Sequence, residues 1–211
     1  MTGSQSDAGR DLRVCFVGDS YVAGVGDPTA LGWVGRVTAE GIAAGLPLTA
    51  YNLGVRGETS TQIARRMPIE VAPRLTPATD PRLVVSFGVN DTVESAGRLS
   101  ASTKQTLRAL KDMQAAMTVP MLLVGPPAVG DPAQDERLAA TSALLARDAG
   151  QLGVPFIETF GATYSSTLWR QQVRDGDGYH PATEGYALLA SVVARPLLAW
   201  LHEEMTAPAP R

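Results

Sequence analysis

The sequence predicts an α/β protein with a parallel sheet covered by helices on both faces, and three observations support this. Five apolar, β-branched runs are continuous rather than alternating, as strands buried on both faces require. Segments with helical spacing separate them, giving a β-α-β-α series. No repeat or Gly/Ser linker divides the 211 residues, a length within the ~250 that one core can serve. A single domain is therefore expected over residues 11–202, with 1–10 and 203–211 as flexible tails.

The first run is LRVCFVG (12–18), which holds the only cysteine, Cys15, between Val14 and Phe16. No disulfide can form within the chain, and the thiol is expected to be buried and inert. A helix is expected near 31–44, then the second run, LTAYNLG (48–54), then a helix near 60–67. RLVVSFG (82–88) follows, and after it comes the clearest helix, 103–117, with Leu107, Leu110, Met113 and Met117 on one side. PMLLVGP (120–126), a helix at 132–151, VPFIET (154–159) and a helix at 181–200 complete the series. Pro196 removes a backbone donor from the last pattern, so a kink or break is expected near Ala194.

Composition narrows the function classes. Hydrophobic residues make up 45% and charged residues 18%, which suits a soluble domain with its own core. The net charge is -3, and the sixteen Arg and two Lys (Lys104, Lys111) are scattered, so no nucleic-acid or anionic-membrane surface is expected. The opening MTGSQSDAGRDLR is polar, and no stretch offers about 18 uninterrupted apolar residues, so a cytoplasmic protein without integral membrane contact is expected. Oligomeric state is not legible at this level.

In open α/β sheets, ligands bind outside the carboxyl ends of the strands. The chemistry is therefore sought at Gly18-Asp19-Ser20, at Gly54 to Gly57, at Gly88-Val89-Asn90-Asp91 and at Gly125-Pro126-Pro127. Serine hydrolysis needs an accessible Oγ, a base for its proton, and donors for the oxyanion. Ser20, at a strand-to-helix turn, supplies the first, although Asp19 and Ser20 also read as a helix cap. Of the two histidines, His202 reads as a solvated helix-end residue. His180 lies in DGDGYHPATEGY just before Pro181, a good first helical residue, with Asp177 three positions earlier. A short turn of that kind can bring the Asp177 carboxylate to Nδ1 and leave Nε2 free as a base; the alternative is an Asp-rich surface turn. Gly57 can bring a backbone N–H close to a ligand, and Asn90 offers an amide NH₂, although both also fit ordinary turns.

These four places match, in order, the four blocks of the SGNH-hydrolase superfamily, the GDSL-like lipases and esterases. GDSY resembles the first block, NLGVRGETS the second, GVND the third and DGYHP the last. Alignment through Asn52 and Thr59-Ser60 favours Gly57 over Gly54 as the glycine of the second block. The resemblance spans residues 18 to 180, and the usual leucine after the serine is Tyr21 here. It implies a three-layer α/β/α sandwich with a flavodoxin-like five-stranded sheet of order 2-1-3-4-5. It also implies a serine esterase or acylhydrolase that needs no cofactor and acts on a small-molecule ester or thioester. Ser20 would be the nucleophile, His180 the base and Asp177 its orienting acid, with Ser20, Gly57 and Asn90 as the oxyanion hole.

Two rivals are carried alongside this reading. One is metal-assisted hydrolysis by Asp19, Asp91, Asp177 and His180; the other is a non-catalytic domain that binds a small acyl or sugar ligand in the same crevice. A G-x-S-x-G elbow is absent, and GVGDPT (24–29) lacks the third glycine of a dinucleotide fingerprint. Tyr21, Trp33, Arg56 and Val89 are candidate substrate contacts, with Pro126, Tyr164 and Trp169 as further pocket candidates that equally fit a core.

Overall fold

The computed structural model describes residues 9–203. The strands are β1 (Leu12–Gly18), β2 (Leu48–Gly54), β3 (Asp80–Ser86), β4 (Glu94–Ser95), β5 (Arg98–Leu99), β6 (Met121–Val124) and β7 (Phe156–Ile157). The helices are α1 (Ser20–Ala23), α2 (Gly32–Ala43), α3 (Ser60–Leu75), α4 (Thr103–Ala116), α5 (Pro132–Gln151), α6 (Phe160–Ser165), α7 (Thr167–Asp175) and α8 (Thr183–His202). Five strands form one parallel sheet of order β2-β1-β3-β6-β7, and β4 and β5 pair as a separate antiparallel ribbon. Counting the sheet strands alone, this is the order 2-1-3-4-5.

The continuous apolar runs are explained by the period of two within each strand. In β1, Leu12, Val14 and Phe16 join one cluster with Trp33, Val37, Trp169 and the α8 side chains Tyr186, Val193 and Leu197. The alternate residues Cys15 and Val17 join the other cluster with Ile63 and Met67 of α3 and Leu110 and Met113 of α4. β3 divides the same way, with Val84 on the first side and Leu83 and Val85 on the second. β1 and β3 thus feed both helical layers, so a polar residue on either of their faces would be buried, whereas the edge strand β2 leaves Thr49 and Asn52 exposed. α8 is apolar enough in composition to pass for a membrane span, but nine of its residues are buried in this core.

The register sets the strand ends level: Gly18 lies beside Gly54 on one side and Ser86 on the other. Neither glycine tolerates a side chain. A Cβ on Gly18 would sit 2.3 Å from the Ser86 carbonyl oxygen, and one on Gly54 would sit 2.2 Å from the Ala23 nitrogen. The close approach presses the turn after β1 onto its neighbours.

Two expectations about helices are corrected. α3 does not stop at residue 67 but runs through Pro68 and Pro73 to Leu75, and α8 is a single helix across Pro196 with no break at Ala194. In all three cases the missing N–H frees a carbonyl four residues earlier, at Ala64, Ile69 and Val192, and none of these residues is fully buried. Water can take the freed acceptor, while the apolar face of each helix stays packed. α8 also begins at Thr183 rather than at residue 181, and the strands expected at 120–126 and 154–159 shorten to β6 and β7.

Residues 1–8 and 204–211, most of the expected tails, lie outside the described residues. Arg10 and Glu203 lie inside them: Arg10 Nε donates to Asp80 Oδ2 at 2.8 Å, and Arg82 donates to the Glu203 carbonyl.

Candidate active site

The cleft opens above the carboxyl ends of β1, β2 and β3, where the chain order reverses across the sheet. It encloses about 370 Å³ and is lined by Ser20, Tyr21, Arg56, Gly57, Val89, Asn90, Val93, Asp177, Tyr179 and His180. These residues come from four separate loops.

Ser20 opens α1 directly after β1. Asp19 caps this turn by accepting from the Tyr21 N–H at 3.0 Å, and Gly24 closes it in the left-handed conformation with φ 76°. Ser20 is 5% exposed, yet its Oγ lies 2.7 Å from His180 Nε2. His180 Nδ1 is in turn 2.7 Å from Asp177 Oδ2. The other carboxylate oxygen, Oδ1, accepts from the backbone N–H groups of Tyr179 (3.0 Å) and His180 (2.8 Å), so a four-residue turn fixes acid and imidazole together. Burial opposes the Asp177 charge. The His180 N–H, the His180 ring and the Tyr179 N–H outweigh it and hold the carboxyl down at about 2.

Tyr21 replaces the usual leucine of the block and ties two of these loops together. Its hydroxyl donates to the Tyr179 carbonyl, and its ring lies 5.0 Å from the imidazole and stacks on Trp169 at 6.3 Å. Movement of the histidine loop would therefore disturb a buried aromatic pair.

The second block forms the opposite wall. Asn52 donates to the Val22 carbonyl at 2.7 Å and accepts from the Gly54 N–H at 3.0 Å, tying α1 to β2. Gly57 has φ 76°, a conformation that favours glycine, and Thr59 starts α3 with a reciprocal capping box to Gln62. The Asn90 amide reaches this wall by donating to the Glu58 carbonyl at 2.9 Å, and a longer contact of 3.3 Å runs to Asp19 Oδ2. Both amide hydrogens therefore have partners, one of them poorly placed.

Asp19 is 1% exposed, and burial raises its carboxyl to about 7, with nearby Asp91 acting in the same direction. The native state thus keeps a proton that the unfolded chain gives up near ~3.9. The contribution to stability is full below ~3.9 and is lost as pH rises through about 7. The urea midpoint is expected to fall between pH 6 and pH 8, and the fall should be smaller in Asp19→Asn, which keeps an acceptor for Tyr21. Equal falls in both proteins would place the charge elsewhere.

Several sequence-derived candidates fall outside this site. Trp33 is a correction: it is 1% exposed and packs edge-on against Phe16 at 5.7 Å, because its position on α2 faces the sheet and not the cleft. Trp169 is likewise core, with its indole N–H donating to the Ala128 carbonyl at 2.8 Å, and Tyr164 stacks on Phe160 away from the lining residues. Pro126 is buried beside Gly88. The four ligands of the metal reading do not converge. Asp91 accepts from the Ser60 N–H at 2.8 Å and the Thr106 hydroxyl at 2.7 Å, and among the described residues no three His, Cys, Asp or Glu side chains gather as a metal set. Cys15 is fully buried, and burial raises its thiol to about 12. His202 is exposed in the last turn of α8.

The structure also brings in residues that the sequence did not single out. Val93 and Tyr179 line the cleft, and the Glu58 carbonyl holds the Asn90 amide. The position of Tyr179 between Asp177 and His180 is the one signal that was available.

A flavodoxin-like sheet with a Ser-His-Asp chain at its switch point defines a class of α/β hydrolytic enzymes. The sequence matches the GDSL-like lipase/acylhydrolase family over residues 16–188, and the chain belongs to that family as an ester-hydrolysing enzyme. A search of curated proteins finds no match. Among solved structures, a lipase/acylhydrolase from Enterococcus faecalis is similar with a TM-score of 0.73 at 21% identity, covering 92% of this chain and 100% of that one. A catalytic mutant of an acetylxylan esterase from Geobacillus stearothermophilus gives 0.66 at 16% identity over 93% and 96% of the two chains. A psychrotrophic esterase from Pseudoalteromonas sp., inhibited by monoethylphosphonate, gives 0.67 at 18% identity over 92% and 100%. These likenesses establish the fold.

Proposed function

We propose that the enzyme cleaves short-chain carboxylic esters or thioesters through a covalent acyl-Ser20 intermediate. The observation that carries this reading is the unbroken chain Ser20 Oγ, His180 Nε2, His180 Nδ1 and Asp177 Oδ2, with both hydrogen bonds at 2.7 Å. Oγ attacks the carbonyl carbon while His180 takes its proton, and a tetrahedral oxyanion forms. Collapse breaks the bond to the leaving oxygen or sulfur, which receives that proton from Nε2. Water then repeats the sequence on the acyl-serine: it yields a proton to His180 and releases the acid, and the proton returns to Ser20. Asp177 holds the Nδ1 proton in place and stabilises the imidazolium.

The oxyanion is assigned to the Ser20 and Gly57 N–H groups and the Asn90 amide. Asn90 can give it the hydrogen now held by Asp19 at 3.3 Å while keeping the shorter bond to Glu58. The cleft volume of about 370 Å³ lies near the lower end of the ~300–1,000 Å³ range of small-molecule sites, which supports a small substrate.

Acid quenching during turnover of an aryl acetate, followed by peptide mass analysis, should find the acetyl group on Ser20. Removing one preorganised donor typically reduces kcat by ~10²–10³, so folded Asn90→Ala should be slowed by that amount with a smaller change in KM. Turnover with no adduct on Ser20 in rapidly quenched samples, together with an active Asn90→Ala, would sink the mechanism.

A further inference from the structure

Arg56 lines the catalytic cleft, and among the described residues it makes no ion pair or side-chain hydrogen bond. The neighbouring charges are already committed. Glu58 pairs with Arg66 at 2.5 Å, Arg66 also pairs with Glu70 at 2.8 Å, and Asp27 pairs with Arg36 at 2.5 Å. The one carboxylate on the cleft wall, Asp177, is held by His180 and two backbone N–H groups. Among the described residues, the one fixed cation facing the substrate space is therefore the Arg56 guanidinium.

Its place in the chain limits what it can reach. Arg56 precedes Gly57, whose N–H is assigned to the oxyanion, and consecutive Cα atoms lie about 3.8 Å apart. The arginine side chain is thus rooted one residue from the scissile carbonyl and spans only a few bonds. Val89, Val93 and the Tyr21 and Tyr179 rings supply apolar surface in the same cleft. A neutral substrate would leave this cation solvated. A short apolar spacer that ends in an anion would fill both features, and the planar guanidinium fork matches a carboxylate or phosphate through paired hydrogen bonds.

We propose that the preferred substrates are esters or thioesters carrying an anionic oxygen group a few bonds from the scissile carbonyl, and that Arg56 is the residue that selects them. This rests on the ester-hydrolase reading of the cleft. Because Arg56 is exposed, the preference should be modest and sensitive to salt.

The test compares kcat/KM within two pairs of substrates. In the acyl arm, the monoethyl ester of glutaric acid is set against its methyl-ketone isostere. In the alcohol arm, the acetate ester of γ-hydroxybutyrate is set against its methyl-ketone isostere. The anionic member should be favoured by about three- to tenfold in at least one arm at low salt, falling as salt rises. The arm that shows it tells which side of the ester carries the charge. Arg56→Gln should bring that ratio to within about twofold of one. Arg174→Gln removes the same charge from a separate hollow and should leave the ratio as in wild type. Ratios near one in both arms of the wild type, or a preference that survives Arg56→Gln, would overturn the proposal. If folded wild type hydrolyses no member of either pair, the short-chain ester reading under Proposed function itself fails, and that result is distinct from hydrolysis without preference.

Discussion

Ser20→Ala and His180→Ala should each lower kcat by roughly 10⁴–10⁶, and the double variant should be little worse than either single one. The reason is geometric. Oγ and Nε2 are 2.7 Å apart, and in the proposed mechanism they act as one unit, so losing either partner removes the activated nucleophile. Residual turnover then reflects binding and oxyanion donors alone. Neither change should unfold the chain, because the apolar clusters on the two sheet faces contain neither residue. Steady-state kinetics with thermal melts on all three variants would check this. Additive losses would mean that the two side chains act independently.

The second large effect belongs to Asp177. Asp177→Asn should reduce kcat by about 10²–10⁴, chiefly because an amide facing Nδ1 can present an N–H and drive the ring proton onto Nε2, the atom that must accept from Ser20. The Asp177 side chain is 47% exposed, so water can replace part of its influence, which argues against the upper end of that range. The same carboxylate leaves a signature in acid. Its folded value of about 2 lies below the ~3.9 of an unfolded aspartate, so its stabilisation is fully present above ~3.9 and is lost as pH falls through about 2. Acid unfolding monitored from pH 5 to pH 2 should be shallower in Asp177→Asn than in wild type. An unchanged acid profile would contradict the charge assignment, and unchanged kcat would contradict the orienting role.

Much of this architecture was legible in the sequence because local and global signals agree. The runs at 12–18 and 48–54 are bounded by Gly18 and Gly54, which the packing demands, and the strands end there. The helix at 103–116 starts with the Ser102 capping box and buries Leu110 and Met113, so its periodicity and cap point to the same element. The misread positions are those where tertiary packing overrides a local rule. Pro68, Pro73 and Pro196 are tolerated because their helices are held by opposite, apolar faces.

α6 and α7 were missed because the segment from Phe160 to Asp175 is short and polar and reveals its role only through Trp169 and Val173 in the core. The site shows the same division. Residues fixed by strand ends and tight turns, such as Ser20 and His180, were legible from order and spacing. Substrate contacts were not, because an aromatic residue looks the same whether it turns toward the sheet, as Trp33 does, or toward the cleft, as Tyr21 does.

The most direct test of the central claim, that His180 activates Ser20 as a nucleophile, is covalent labelling with a fluorophosphonate followed by peptide mapping. The structure leads to a single label on the Ser20 peptide of wild type, none in Ser20→Ala, and strongly reduced labelling in folded His180→Ala. Absence of label on folded wild type, or label whose rate does not depend on His180, would contradict it.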